Sequence, residues 1–130
     1  MALDRLLGSW HITMHHSQVR EPVFGTQEYE RTLDGAFVVQ RWTYDHPDFP
    51  NAIAIMDEHS YHYFDVRGVI RIFDFEIDDH GWTMTHLEDE FSQRSTALFR
   101  GPDALECHGE YSDDRGATWH HDYRMSYARV

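Results

Sequence analysis

Among the residues able to do chemistry, His121 is the most conspicuous. The last apolar segment alternates Trp119, His121, Tyr123, Met125 and Tyr127 against Thr118, His120, Asp122, Arg124 and Ser126. A strand with that period of two puts an imidazole on its apolar face. A buried imidazole can ligate a metal or relay a proton, with Tyr123 or Arg71 stabilising developing negative charge. It can equally be a core histidine satisfied by a tyrosine hydroxyl or a backbone carbonyl. His120 beside it points the opposite way, because adjacent strand residues cannot face one site.

Arg71 and Gln93 carry a different chemistry, since a polar side chain admitted to an apolar interior anchors a ligand's polar group. Val69, Arg71, Phe73, Phe75 and Ile77 share one side, so Arg71 points inward if that aromatic side does; Ile70 and Ile72 argue for the other register. Phe91, Gln93, Ser95, Ala97 and Phe99 make Gln93 inward and Arg94 outward. The alternative for both is a surface role, paired with an acid such as Asp74 or Glu76.

Other clusters read as structural. His11 and His15 lie four residues apart on a strand, too far for easy chelation, and His16 faces away from both, which leaves a surface cluster. Glu106, His108 and Glu110 share the side opposite Leu105, Cys107 and Tyr111, the solvent side, and no metal site is expected. Cys107 packs rather than reacts. The acidic runs Asp78-Asp79, Glu88-Asp89-Glu90 and Asp113-Asp114 fall at turns, where carboxylates cap and solubilise.

Composition excludes whole classes of function. All 11 basic residues are arginine, so Schiff-base chemistry and lysine-dependent phosphate loops are ruled out. The net charge of -12 argues against nucleic acid as a partner. A single cysteine cannot close an intramolecular disulfide, and residues 1–10 carry neither a basic start nor a long apolar run. With no stretch near the roughly 18 apolar residues of a membrane helix, the expectation is a soluble, cytoplasmic chain.

The elements that must position these residues are strands. Four Trp, seven Tyr and eight Phe in 130 residues favour β structure and cavity walls. Turn signals such as Asp34-Gly35, Arg67-Gly68 and Gly101-Pro102-Asp103 separate about ten segments. These run Ser9 to His16, Gly25 to Leu33, Ala36 to Tyr44, Ala52 to Met56, Tyr61 to Asp65, Val69 to Ile77, Trp82 to Leu87, Phe91 to Phe99, Ala104 to Tyr111 and Thr118 to Arg129. Only Leu3, Leu6 and Leu7, spaced as on a helix before Gly8, suggest a helical turn. With no helices to cover an open sheet, the expectation for residues 1–130 is one all-β domain, an antiparallel up-and-down barrel. Residues 46–50 form its longest irregular connection, a surface loop or a lid over the open end.

Leu7-Gly8-Ser9-Trp10 is similar to the opening of lipocalin-like (calycin) barrels, in which the tryptophan plugs the closed end. Leu33 to Arg41, Tyr63 to Gly68, Phe91 to Arg94, and Tyr111 to Gly116 with Trp119 extend the likeness over nearly the whole chain. Together they resemble an uncharacterised family of small bacterial lipocalin-like proteins, which implies a barrel with an internal cavity and no particular reaction. A more distant resemblance is to the ten-stranded nitrobindins, whose haem is held by a histidine on a late strand. His121 would be that ligand. The extended Gly-x-Trp-x-Gly-x-Gly motif is missing, because His11-Ile12-Thr13-Met14 follows Trp10, and haem is disfavoured.

The leading expectation is uptake of a small, largely apolar molecule between Trp42, Tyr63, Phe73, Trp82, Tyr123 and the plug Trp10, with Gln93, Arg71 or His121 orienting its polar end. The alternative is a cavity enzyme, an isomerase or cyclase type with His121 as acid/base and Tyr123 or Arg71 as stabilisers. A third reading is a filled barrel whose apolar outer residues form a homodimer.

Overall fold

The computed structural model describes residues 2–130. A short 3-10 turn, Ala2–Leu6, precedes ten strands: β1 Gly8–His16, β2 Val23–Thr32, β3 Phe37–Tyr44, β4 Ala52–Met56, β5 Ser60–Asp65, β6 Ile70–Ile77, β7 Gly81–His86, β8 Ser92–Phe99, β9 Ala104–Ser112 and β10 His120–Arg129. Each strand pairs antiparallel with its sequence neighbour, and β1 also pairs with β10, so the sheet closes into a barrel without a free edge. This is the all-β barrel expected from the sequence. Alternation does the sorting: in β2, Val23, Gly25, Gln27 and Tyr29 are buried while Phe24, Thr26, Glu28 and Glu30 are exposed.

Up-and-down order sends alternate connections to opposite ends. Residues 17–22, 45–51, 66–69, 87–91 and 113–119 ring one end, and residues 33–36, 57–59, 78–80 and 100–103 ring the other. The second end is stoppered. Leu3, Leu6 and Trp10 are fully buried there, and the Trp10 indole donates to the Leu6 carbonyl at 2.8 Å. The Arg129 guanidinium stacks 4.1 Å from the Trp10 ring and donates to the carbonyls of Leu7 (2.6 Å), Arg5 (2.8 Å) and Pro102 (3.2 Å). Gly8 turns the chain into β1 at φ +110°, and a Cβ there would lie 3.1 Å from that guanidinium. These contacts explain why glycine stands two residues before this tryptophan.

One strand departs from the expected pattern. Pairing of β10 with β9 shifts between His121 and Tyr123, so that His121 opposes Glu110 and Tyr123 opposes Gly109. The extra residue of a bulge reverses inside and outside on one side of it. His121 consequently lies on the outer surface, exposed, and not on the apolar face where unbroken alternation would put it. On the outside of the barrel, Ile53, Phe64 and Ile70 are cross-strand neighbours, and with Ile72 they form an apolar row in which Ile53, Ile70 and Ile72 are exposed.

Candidate functional site

Inside the barrel lies a cavity of about 500 Å³ that opens at the end opposite the stopper, where Gln18, Phe49, Arg67 and Phe91 from four of the five connections border it. Its deep part is polar but internally satisfied. The Gln27 side-chain oxygen accepts from Tyr29 (2.8 Å) and from the Gln40 amide (2.9 Å), and the Gln40 oxygen accepts from Tyr61 (2.6 Å). The Gln27 amide donates to Tyr127 at 3.3 Å. Buried amides left unpaired would each cost about 1–3 kcal/mol, so this network fixes the five side chains in place. The alternation of Gln27 with Val23, Gly25 and Tyr29 marks it as interior, a signal masked by glutamine's ordinary preference for the surface.

The walls are aromatic. Phe73, Phe75, Trp82, Trp42 and Tyr63 line the cavity, with Trp42 and Tyr63 in contact at 5.6 Å between ring centroids. Tyr123 lines it too, lying over Gly109, where a Cβ would come within 2.0 Å of the phenol ring. Burial holds the phenols of Tyr29, Tyr44, Tyr61, Tyr123 and Tyr127 above their ordinary range, which keeps them protonated and able to donate. Burial likewise pushes the Cys107 thiol up to about 12, leaving it inert at neutral pH. Among the described residues no acceptor meets the buried Trp82 indole N–H.

The mouth is built from loops and strand ends. Phe49, from the connection between β3 and β4, packs against His16 (5.1 Å), His46 (5.2 Å) and Tyr44 (5.6 Å). His16 pairs with Asp122 at 3.0 Å, both side chains well covered. Burial raises the Asp122 carboxyl, against the lowering influence of His16 and His121. Elsewhere on the rim, Tyr63 donates to Asp65 at 2.7 Å and Arg67 bonds the same carboxylate at 2.7 Å. Burial would raise Asp65, but those hydrogen bonds outweigh it and hold the carboxyl well below the usual range.

Of the residues singled out from the sequence, Trp42, Tyr63, Arg71, Phe73, Trp82, Gln93 and Tyr123 line the cavity together. Trp10 lies beneath it as part of the stopper, touching the lining through Tyr127 at 6.2 Å. His121 is outside, separated from the cavity by the bulge, so it can neither relay a proton nor hold a haem there. Arg71 takes the inward register, on the side of Phe73 and Phe75, with Ile70 and Ile72 outside. His16, expected in a surface cluster, sits at the mouth instead, because β1 ends there and Asp122 opposite gives it a partner.

No known family's sequence profile matches the chain, and no curated protein matches it. The likeness found is one of shape. A protein of unknown function from the DUF3598 family of Nostoc punctiforme superposes with a TM-score of 0.66 at 13% identity, over 100% of this chain and 49% of that one. This chain therefore spans about half the length of that protein. The S-type phycobiliprotein lyase CPES from Guillardia theta gives 0.60 at 12% identity, covering 98% and 90% of the two chains. EF1p2_mFAP2b, solved bound to DFHBI, gives 0.51 at 9% identity, covering 99% and 97%. Identities this low speak for the barrel fold alone.

Proposed function

We propose that this barrel binds one small, largely apolar molecule in its cavity. The observation that carries this reading is the interior itself: about 500 Å³ of space, open at one end, stoppered at the other and walled by aromatic rings. Ligand pockets for small molecules run from about 300 to 1,000 Å³, and a barrel built only for packing would fill this volume with side chains. The polar network below is complete without a ligand, so affinity comes from the walls and mouth. A ligand-bound barrel among the structural neighbours, the one holding DFHBI, lends the reading support. The test is a thermal-shift and tryptophan-fluorescence screen of aromatic and aliphatic small molecules against the purified protein. Saturable binding at one site is expected; a Trp82→Ala or Phe73→Ala variant that binds every hit unchanged would remove the cavity from consideration.

Proton transfer is a second reading, and its residues change. With His121 on the outer surface, the acid/base pair at the cavity is His16 and Asp122, 3.0 Å apart. A ligand recovered unchanged after long incubation removes this reading and leaves binding. The homodimer reading places its interface on the apolar row of Ile53, Phe64, Ile70 and Ile72, and sedimentation equilibrium tests it: a monomer at high concentration ends it.

A further inference from the structure

The binding reading leaves open what the ligand's polar end is, and the arginines of the cavity answer it. Three guanidinium groups stand at the cavity or its rim: Arg67, Arg71 and Arg94. Two are committed. Arg67 bonds Asp65 through Nη2 at 2.7 Å and Nε at 3.2 Å, and Arg94 forks onto Glu110 at 2.9 and 3.1 Å. Arg71 has no hydrogen-bond acceptor and no ion-pair partner among the described residues; its guanidinium carbon lies 5.4 Å from the centre of the Phe91 ring. It is half-buried, points to the same side as Phe73 and Phe75, and lies across from Tyr63 in the ladder. A planar cation carrying five N–H donors is therefore held at the mouth of an aromatic-walled cavity with no hydrogen bond to the described residues.

The acids of the lining do not neutralise it. Glu110 is taken by Arg94 and Asp122 by His16, and Asp48 stands on the exposed loop next to Phe49. We propose, resting on the binding reading above, that the ligand is an amphipathic carboxylate: its apolar body fills the cavity and its carboxylate is received by Arg71 at the mouth. The fork of a guanidinium matches a carboxylate in two parallel hydrogen bonds, and the surrounding rings weaken the competition from water. Gln93, also in the lining, offers amide donors to the same anion.

Pyrenebutyrate and pyrenebutanol, which share a body and differ in the charged end, test this by energy transfer from the cavity tryptophans. With the wild-type protein the acid binds at least about tenfold tighter than the alcohol; in Arg71→Gln the acid falls to the level of the alcohol, whose own affinity stays put. Equal binding of acid and alcohol by the wild type overturns the carboxylate while leaving the cavity reading intact. Selectivity that survives Arg71→Gln overturns the assignment to Arg71. Binding of neither probe, together with an empty outcome of the wider screen, takes down the binding reading and this inference with it. Arg71 makes no hydrogen bond or ion pair among the described residues, and a cooperative thermal melt of Arg71→Gln close to that of the wild type verifies its fold independently of either probe.

Discussion

At the scale of single residues, interior space here is set by what is missing as much as by what is present. Gly109 is the clearest case, since the Tyr123 ring occupies the room a side chain would take. Gly109→Ala is expected to cost about 1–3 kcal/mol by overpacking and to displace Tyr123 into the cavity, lowering both the melting temperature and ligand affinity. Asp65 makes a second case. Its folded pKa is depressed by Arg67 and Tyr63, so the stability it supplies is fully present above the unfolded carboxylate value of about 4 and is lost as pH falls through the folded value. Asp65→Asn is expected to lose about 1–3 kcal/mol at pH 7 in urea unfolding, with the gap to wild type narrowing towards pH 2. Residue types alone did not show either point. A glycine in a strand announces a close approach without saying whose, and an aspartate next to an arginine looks the same paired in a loop or free in solvent.

At the scale of elements, the strands were legible because period-two patterning and turn residues agree along most of the chain. β4 was expected from Ala52 to Met56 and lies there, and β1, β3, β6 and β9 differ only by a residue at one end. β10 shows the limit. Trp119, His121, Tyr123, Met125 and Tyr127 read as one face, yet the alternation is interrupted between His121 and Tyr123, and a bulge leaves no mark in residue type. That single extra residue moved the most chemically suggestive histidine outside and brought Asp122 to His16. The stopper is the element whose loss tests the architecture most directly. Trp10→Ala should cost about 3–5 kcal/mol, and Arg129→Lys should cost a smaller but measurable amount by surrendering the fork that ties Leu7, Arg5 and Pro102 together. Denaturant melts at one pH separate the two; an Arg129→Lys variant as stable as wild type would show that the stacking on Trp10 suffices.

At the scale of the whole molecule, acid should neutralise the surface almost completely. Eleven histidines stand against a formal charge of -12, so full protonation of that number of imidazoles would bring the charge to about -1. Electrophoretic mobility is expected to collapse between pH 8 and pH 5, with solubility reaching a minimum near the sequence isoelectric point of about 5.2. The apolar row on β4, β5 and β6 would then meet other molecules with little charge to hold them apart.

Joining β1 to β10 has a kinetic consequence. These strands are the most distant in the chain, and Met14 meets Met125 across a seam that no local hairpin prepares. Loop-closure entropy disfavours such contacts early, so the meander of neighbouring hairpins assembles first and the seam zips last. A substitution in the seam, Ile12→Val for instance, should therefore accelerate unfolding while leaving the refolding rate almost untouched, a signature that stopped-flow chevrons resolve. Val38→Ala, in a strand paired only with its chain neighbours, should share its effect between both limbs.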